Sequence, residues 1–286
     1  MEKKRATPMR IIKRILNIAG LIILAALFIL PFLWMILTAV KSFAETMTYP
    51  PVFFPSELHF ENFVKAWKSG PFLKYFLNSC IVTIVVIVMQ FLVTIPAAYA
   101  YARCRFRGKN IMFGITLATL MIPTQLIFVP MFLLFSKMKL INSYLSLILP
   151  FCASGFGIFM VRQRFMQIPE ELIEAARLDN ASELKILTHV MIPMARPTIT
   201  TMLLLTFISR WNDYFWPMVM TTKDSVRTLS VGVAMLRETE AAASWNTLMA
   251  GNVILVLPIL ILFIFAQKQI IQAFAYSEKG YFFAAK

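Results

Sequence analysis

Six stretches of this 286-residue chain are too long and too apolar to be left in water. They lie near residues 15–40, 76–102, 111–135, 144–161, 198–220 and 247–267. A bilayer core takes about 20 predominantly apolar residues of helix to cross. Inside it, a helix satisfies all its backbone N–H and C=O groups within one segment, and runs of this length suit helices rather than barrel strands. Hydrophobic residues make up 59% of the chain, above the roughly 45–50% of soluble domains. The expectation is an all-α, polytopic membrane protein with six transmembrane helices. Five runs read as ordinary spans. The fourth is short and carries Pro150, Gly155 and Gly157, so it is predicted to be kinked or packed tightly between neighbours.

The formal net charge of +14 would suggest a nucleic-acid partner in a soluble protein, but here the placement of Lys and Arg decides. Lys3, Lys4, Arg5, Arg10, Lys13 and Arg14 precede the first span, and Arg103, Arg105, Arg107 and Lys109 follow the second. Arg162, Arg164, Arg177, Lys185 and Arg196 follow the fourth, and Lys268, Lys279 and Lys286 the sixth. This face outnumbers the other two to one. The other holds Lys41, Lys65, Lys68, Lys74, Lys137, Lys139, Lys223, Arg227 and Arg237, and Arg210 stays within the membrane. Cytosolic loops collect basic residues, so both termini are predicted to be cytoplasmic and no nucleic acid is expected. The first apolar run is too long for a cleaved signal and reads as an anchor.

Catalytic and metal chemistry find little support. Cys80, Cys104 and Cys152 do not meet on the outer side, which implies no disulfide. His59 and His189 fall on opposite faces with no second ligand at helical spacing. The Gly108-Lys109 pair lacks a glycine-rich lead and is followed by Asn110 rather than Ser or Thr, so it is no phosphate loop. No cofactor is expected in this chain, and no enzymatic activity.

Between spans four and five runs "EAARLDNASELKILTHVMIPMARP", residues 174–197. Pro169 suits a first helical turn, and Glu170, Glu171 and Glu174 complement its positive dipole end. Helical spacing groups Leu172, Ala175, Ala176 and Asp179 on one side. Asn180 tolerates the left-handed conformation that ends helices, and is also a candidate cap for a second helix with Glu183 reaching back. Ile186, Leu187, Val190 and Met191 then form an apolar stripe before Pro193 and Pro197. Periodicity leaves two readings open: an interfacial loop whose stripe rests on the bilayer, or a helix that enters a protein groove, its small residues allowing close approach.

At these residues the chain resembles the permease subunits of binding-protein-dependent ABC importers, whose signature is Glu-Ala-Ala, three residues, Gly, and then Ile-x-Leu-Pro. Here it reads Glu174-Ala175-Ala176-Arg177-Leu178-Asp179-Asn180, with Ile192-Pro193 further on. Asn180 stands in place of the usual Gly. "PAAYAYARCRFRGKN", "LMIPTQLIFVPMFLLF", "GFGIFMVRQRFMQIPEELIEAARLDNAS" and "WNDYFWP" are similar to the carbohydrate-uptake group, the maltose-type second permease. The resemblance implies a type I importer permease fold that translocates a di- or oligosaccharide by alternating access. It also implies a second permease, two ATP-binding subunits that hold ATP and Mg, and an extracellular solute-binding protein. Residues 174–180, within a cytosolic segment of about 168–193, then correspond to the helix that docks on the ATPase. Another small solute (glycerol-phosphate, a polyol or a polyamine) and a gradient-driven secondary transporter are the alternatives.

"SRWNDYFWP", residues 209–217, puts Arg210 and Asp213 inside an apolar run, at the i, i+3 spacing of a helical pair. Charge at a helix centre costs about 2.5–3.5 kcal/mol on insertion scales, so both are expected to face protein or water. With Trp211, Asn212 and Tyr214 they form a candidate substrate path or gate. A structural pair locking span five, with its aromatic rings at the outer interface, is the other reading. The outer segment 41–75 has two readings, contact with the binding protein or the partner permease, or a passive connector; in 221–246 the resemblance implies a segment that reaches toward the docked binding protein. "AFAYSEKG" resembles the family's usual C-terminal sequence, a tail that contacts the ATPase in some relatives, and Tyr281–Lys286 extends beyond that sequence. The chain reads as one transmembrane domain over 1–286, with its core at about 76–267.

Overall fold

A computed structural model describes residues 8–239 and 244–283, with side chains of the last helix described up to Gln267. Lys3, Lys4 and Arg5, residues 240–243 of the second outer segment, and the last three residues of the C-terminal extension lie outside it. Among the described residues every regular element is helical. In chain order they are α1 (Pro8–Ala39), α2 (Phe43–Met47), α3 (Glu61–Lys68), α4 (Phe72–Arg103), α5 (Lys109–Ala118), α6 (Thr124–Lys137), α7 (Tyr144–Ile148) and α8 (Gly155–Met166). There follow α9 (Glu170–Leu178), α10 (Glu183–Ile186), α11 (Ile192–Met194), α12 (Arg196–Trp211), α13 (Phe215–Met220), α14 (Leu229–Thr239) and α15 (Trp245–Phe283).

Among the described residues four stretches are long and apolar enough to cross a bilayer: Leu16–Ala39, Phe72–Arg103, Tyr144–Met166 and Trp245–Gln267. The count rises to six if each of two bent pairs is one span. Two of the runs expected to be ordinary spans are therefore broken. In the third, α5 and a 3₁₀ turn over Thr119–Met121 meet α6 at 98°. Ile122 is extended there, because the ring of Pro123 disfavours the helical region for the residue before it. The fifth run is two helices, α12 and α13, and before it Glu183–Met194 meets Arg196–Trp211 at 82°. Pro217 explains the first of these interruptions, since it removes a donor and clashes with the carbonyl four residues back, that of Asp213. That carbonyl accepts instead from Ser230 Oγ at 2.6 Å. The fourth span changes to a 3₁₀ turn over Leu149–Phe151, where Pro150 lies.

The chain divides into two compact units, Met1–Gly70 with Val233–Val256, and Pro71–Gly232 with Leu257–Lys286. In the first, the apolar window of α1 has no buried residue, whereas the residues just after it are tightly held. Lys41 is 2% exposed; its Nζ donates to Val52 O and lies 4.4 Å from the Trp34 ring centroid. Burial lowers its basicity. Asn62 Nδ2 donates to the carbonyls of Ala39 and Lys41, both at 2.9 Å, and Asn246 Nδ2 to Asn62 Oδ1 at 3.2 Å. Ser42 and Glu45 form a capping box on α2. Hydrogen bonds from Ser56 and Ser42 bring the Glu45 carboxyl down to about 2.

The second unit is built on α4, which packs against α8 and α12. Gly157 lets them approach: a Cβ there would lie 2.9 Å from Met202 Sδ and 3.1 Å from Thr94 Cγ2. Gln90 of α4 ties the layers together, donating to Phe151 O at 2.9 Å and accepting from Thr206 Oγ1 at 2.7 Å. One apolar cluster joins Ile95, Ala98 and Tyr99 of α4, Val161 and Phe165 of α8, and Met202 of α12 to Ile173, Ile186, Leu187 and Met191. The stripe of the second helix is thus largely inside protein, not resting on a bilayer. Burying each such side chain stabilises by about 1.5–3 kcal/mol.

Candidate functional site

Pro169, extended at ψ 138°, starts α9, and Glu170 and Glu171 occupy its first turn. Ile173 is fully buried and Ala176 packs beside it against the cluster. Glu171, Leu172, Glu174, Ala175 and Leu178 are exposed, Leu178 by 84%. The side expected to carry Leu172, Ala175, Ala176 and Asp179 is therefore divided: Ala176 turns inward while the other three face out. Sequence reasoning missed Ile173 as the anchor; its i, i+3 relation to Ala176 was the available signal.

The helix ends as a Schellman motif. Asn180 has φ 56°, its N–H bonds Arg177 O at 3.0 Å, and the N–H of Ala181 bonds Ala176 O at 3.0 Å. Asn180 thus fills the left-handed position left to Gly in the signature. It does not cap the second helix. Ser182 does, its hydroxyl accepting from Lys185 N at 3.3 Å, because a residue in the left-handed region cannot also hold the extended conformation of an N-cap. Nor does Glu183 reach back to Asn180: its carboxylate accepts from Tyr99 OH and, at 3.1 Å, from Arg177 Nη2. Hydrogen bonding to Glu183, with its charge, raises Arg177 above the usual guanidinium value. After α10 a π-helical turn over Leu187–Met191 leads through Pro193 to α12.

The corner is held from α4. Arg103 pairs with Glu170 and donates to Phe165 O at 2.7 Å and to Ile168 O. Tyr99 and Arg103 were not among the expected residues, since their partners lie 62 to 84 positions away; the signal was two polar groups one turn apart at the end of a span.

At the break between α12 and α13, Arg210 Nη1 meets Asp213 Oδ2 at 2.9 Å, and the guanidinium carbon lies 3.6 Å from the Phe151 ring centroid. Asp213 Oδ1 also accepts from Trp216 N at 3.3 Å. Trp216 Nε1 donates to Ser146 O at 2.9 Å. Trp211, a candidate for the substrate path or gate, is only 2% exposed. It stacks on Phe207 at 5.4 Å and meets Phe76 edge-on at 5.7 Å. Asn212 and Tyr214 are exposed. Among the described residues no cluster of three His, Cys, Asp or Glu side chains suits a metal.

Residues 90–276 match the family of binding-protein-dependent transport system inner membrane components. The chain belongs to this family. It is 33% identical to an arabinooligosaccharides transport system permease protein of Halalkalibacterium halodurans, over 94% of this chain and 96% of that one. It is 30% identical to an sn-glycerol-3-phosphate transport system permease protein of Salmonella typhi, over 80% and 84%. Among solved structures it resembles a chain of a bacterial ABC transporter involved in the import of the acidic polysaccharide alginate. There the TM-score is 0.81 at 25% identity, covering 94% of this chain and all of the other.

Proposed function

We propose that this chain is the permease subunit of an ATP-driven importer that takes a di- or oligosaccharide from an extracellular solute-binding protein. It pairs with a second permease and rests on two ATP-binding subunits, which hold ATP and Mg. Both termini are cytoplasmic, and α9 is the coupling helix. The observation that carries the reading is the two-sidedness of α9: Ile173 fixes one face in the core while Glu171, Leu172, Glu174, Ala175 and Leu178 stand exposed on the other. A short helix seated this way passes displacement to the spans, because packed interiors transmit strain rather than absorb it. The sugar assignment draws on the arabinooligosaccharide and alginate relatives. The glycerol-phosphate relative keeps a second cargo class in play, and Arg210 is the residue that would suit its anionic group. The break at Asn212–Tyr214 lies on or beside the path, with Asn212 and Tyr214 the side chains free to meet solute.

The test is Glu174→Lys in the assembled transporter. Because Glu174 is exposed, the variant is expected to insert and accumulate normally, yet to lose uptake and substrate-stimulated ATP hydrolysis. Uptake at the parent rate would remove α9 from the mechanism.

A further inference from the structure

The end of α4 is more elaborately tied than a span terminus requires. Its last carbonyls are met by cations from neighbouring segments: Arg162 Nε donates to Tyr101 O at 3.1 Å, and Lys109 Nζ to Cys104 O at 3.0 Å and Ala102 O at 3.3 Å. That is the ordinary way to satisfy a helix C-terminus. Arg103 and Tyr99 do something different, because they reach out of α4 into the next structural segment. One guanidinium holds together the carbonyl of Phe165 near the end of α8, that of Ile168 in the link after it, and the first carboxylate of α9 (Glu170). One turn earlier, Tyr99 OH holds Glu183, the first residue of α10, and the same carboxylate holds Arg177 at the end of α9. Both ends of the α9–α10 corner are thereby fixed to a single helix. Tyr99 also packs edge-on against Phe165, ring centroids 6.3 Å apart.

We propose that Tyr99 and Arg103 are positioning residues that make α4, and not α8 and α12 alone, follow the movement of the coupling corner. The inference rests on α9 being the coupling helix. Covalent continuity links the corner only to α8 on one side and to α12 through α11 on the other; without these two side chains α4 is joined by apolar contact that permits sliding. With them, a displacement of α9 carries the cytosolic end of α4, the longest helix of this unit's core.

The experiment uses the whole transporter, co-purified with its ATP-binding subunits and second permease and placed in liposomes, with Cys80, Cys104 and Cys152 replaced by serine. Spin labels replace Leu178 on α9 and Leu92 on the exposed side of α4, and their separation is measured with and without ATP plus orthovanadate. The parent is expected to give the same narrow distribution in both states. Tyr99→Phe, which deletes one oxygen, and Arg103→Lys, which keeps a charge for Glu170 but gives up the two carbonyls, are expected to stay narrow without nucleotide and to broaden and shift with it. Parent-like distributions in both variants with nucleotide would overturn the proposal. Broadening already present without nucleotide would overturn it too, by making the role purely structural. The Leu178 label tests the underlying reading separately, because it must become immobilised when the ATP-binding subunits join. If it stays mobile, the coupling assignment fails and this inference falls with it.

Discussion

The α9–α10 corner and the break between α12 and α13 are both polar interruptions in an apolar chain, and both pair an arginine with an acid. They use that pair oppositely. At the corner, Arg177 and Glu183 are 45% and 56% exposed in their side chains; at the break, Arg210 and Asp213 are 16% and 17% exposed. An exposed pair contributes about 0–1 kcal/mol and is easily rearranged, so it leaves a surface that a partner can reshape. A buried one contributes little relative to an apolar replacement but is costly to break, which fixes one arrangement. Aromatic packing follows the same division: Trp211, Trp216 and Phe151 close over the break, whereas the corner leaves Leu178 uncovered.

The comparison breaks most sharply at Ile173. Ile173→Asp puts a carboxylate into a fully buried position with no partner provided. It is expected to destabilise by about 3–5 kcal/mol, seen as a large fall in thermal stability in detergent and in the amount of protein in the membrane. A parent-like melting temperature would mean that α9 is not seated as described. Asp213→Ala comes next: it strands Arg210 over the Phe151 ring and removes an acceptor from Trp216 N. A loss of about 3 kcal/mol is expected, largely relieved by adding Arg210→Leu. A double variant no more stable than the single would show that Arg210 and Asp213 do not act as one unit. Smallest is Asn180, where φ 56° costs a β-carbon-bearing residue about 1–2 kcal/mol. Asn180→Gly is expected to match or slightly exceed the parent in thermal stability, and Asn180→Val to fall below it. An equal melting temperature for all three would show that the left-handed turn is not held in solution.

Much of this was legible in the chain itself. Apolar runs mark where helices can cross, and the Pro169 to Pro197 passage announces a helix, a corner and a second helix. The bends were harder, because hydropathy is blind to direction: "LMIPTQLIF" is equally greasy straight or turned through 98°. The Ile122-Pro123 step was the local warning. Capping also misled, since Asn180 and Ser182 both suit helix ends and only the backbone shows which one turns left. Trp211 shows the limit on the functional side, because an aromatic beside charged residues reads the same whether its ring meets solute or Phe207. The Tyr99 and Arg103 contacts depend on how α4 and the corner meet in space, and no local pattern encodes that.

The way α9 closes has a bearing on pairing fidelity. The N–H groups of Asp179, Asn180 and Ala181 are all spent on carbonyls of their own helix, so a visiting protein finds no main-chain donor at those three positions. Its grip there falls on side chains, which substitution can exchange while the turn stays intact. Under the proposed coupling role, two transporters sharing one cytoplasm could therefore be kept from borrowing each other's motors by a handful of surface replacements, and an orthogonal pair could be engineered the same way.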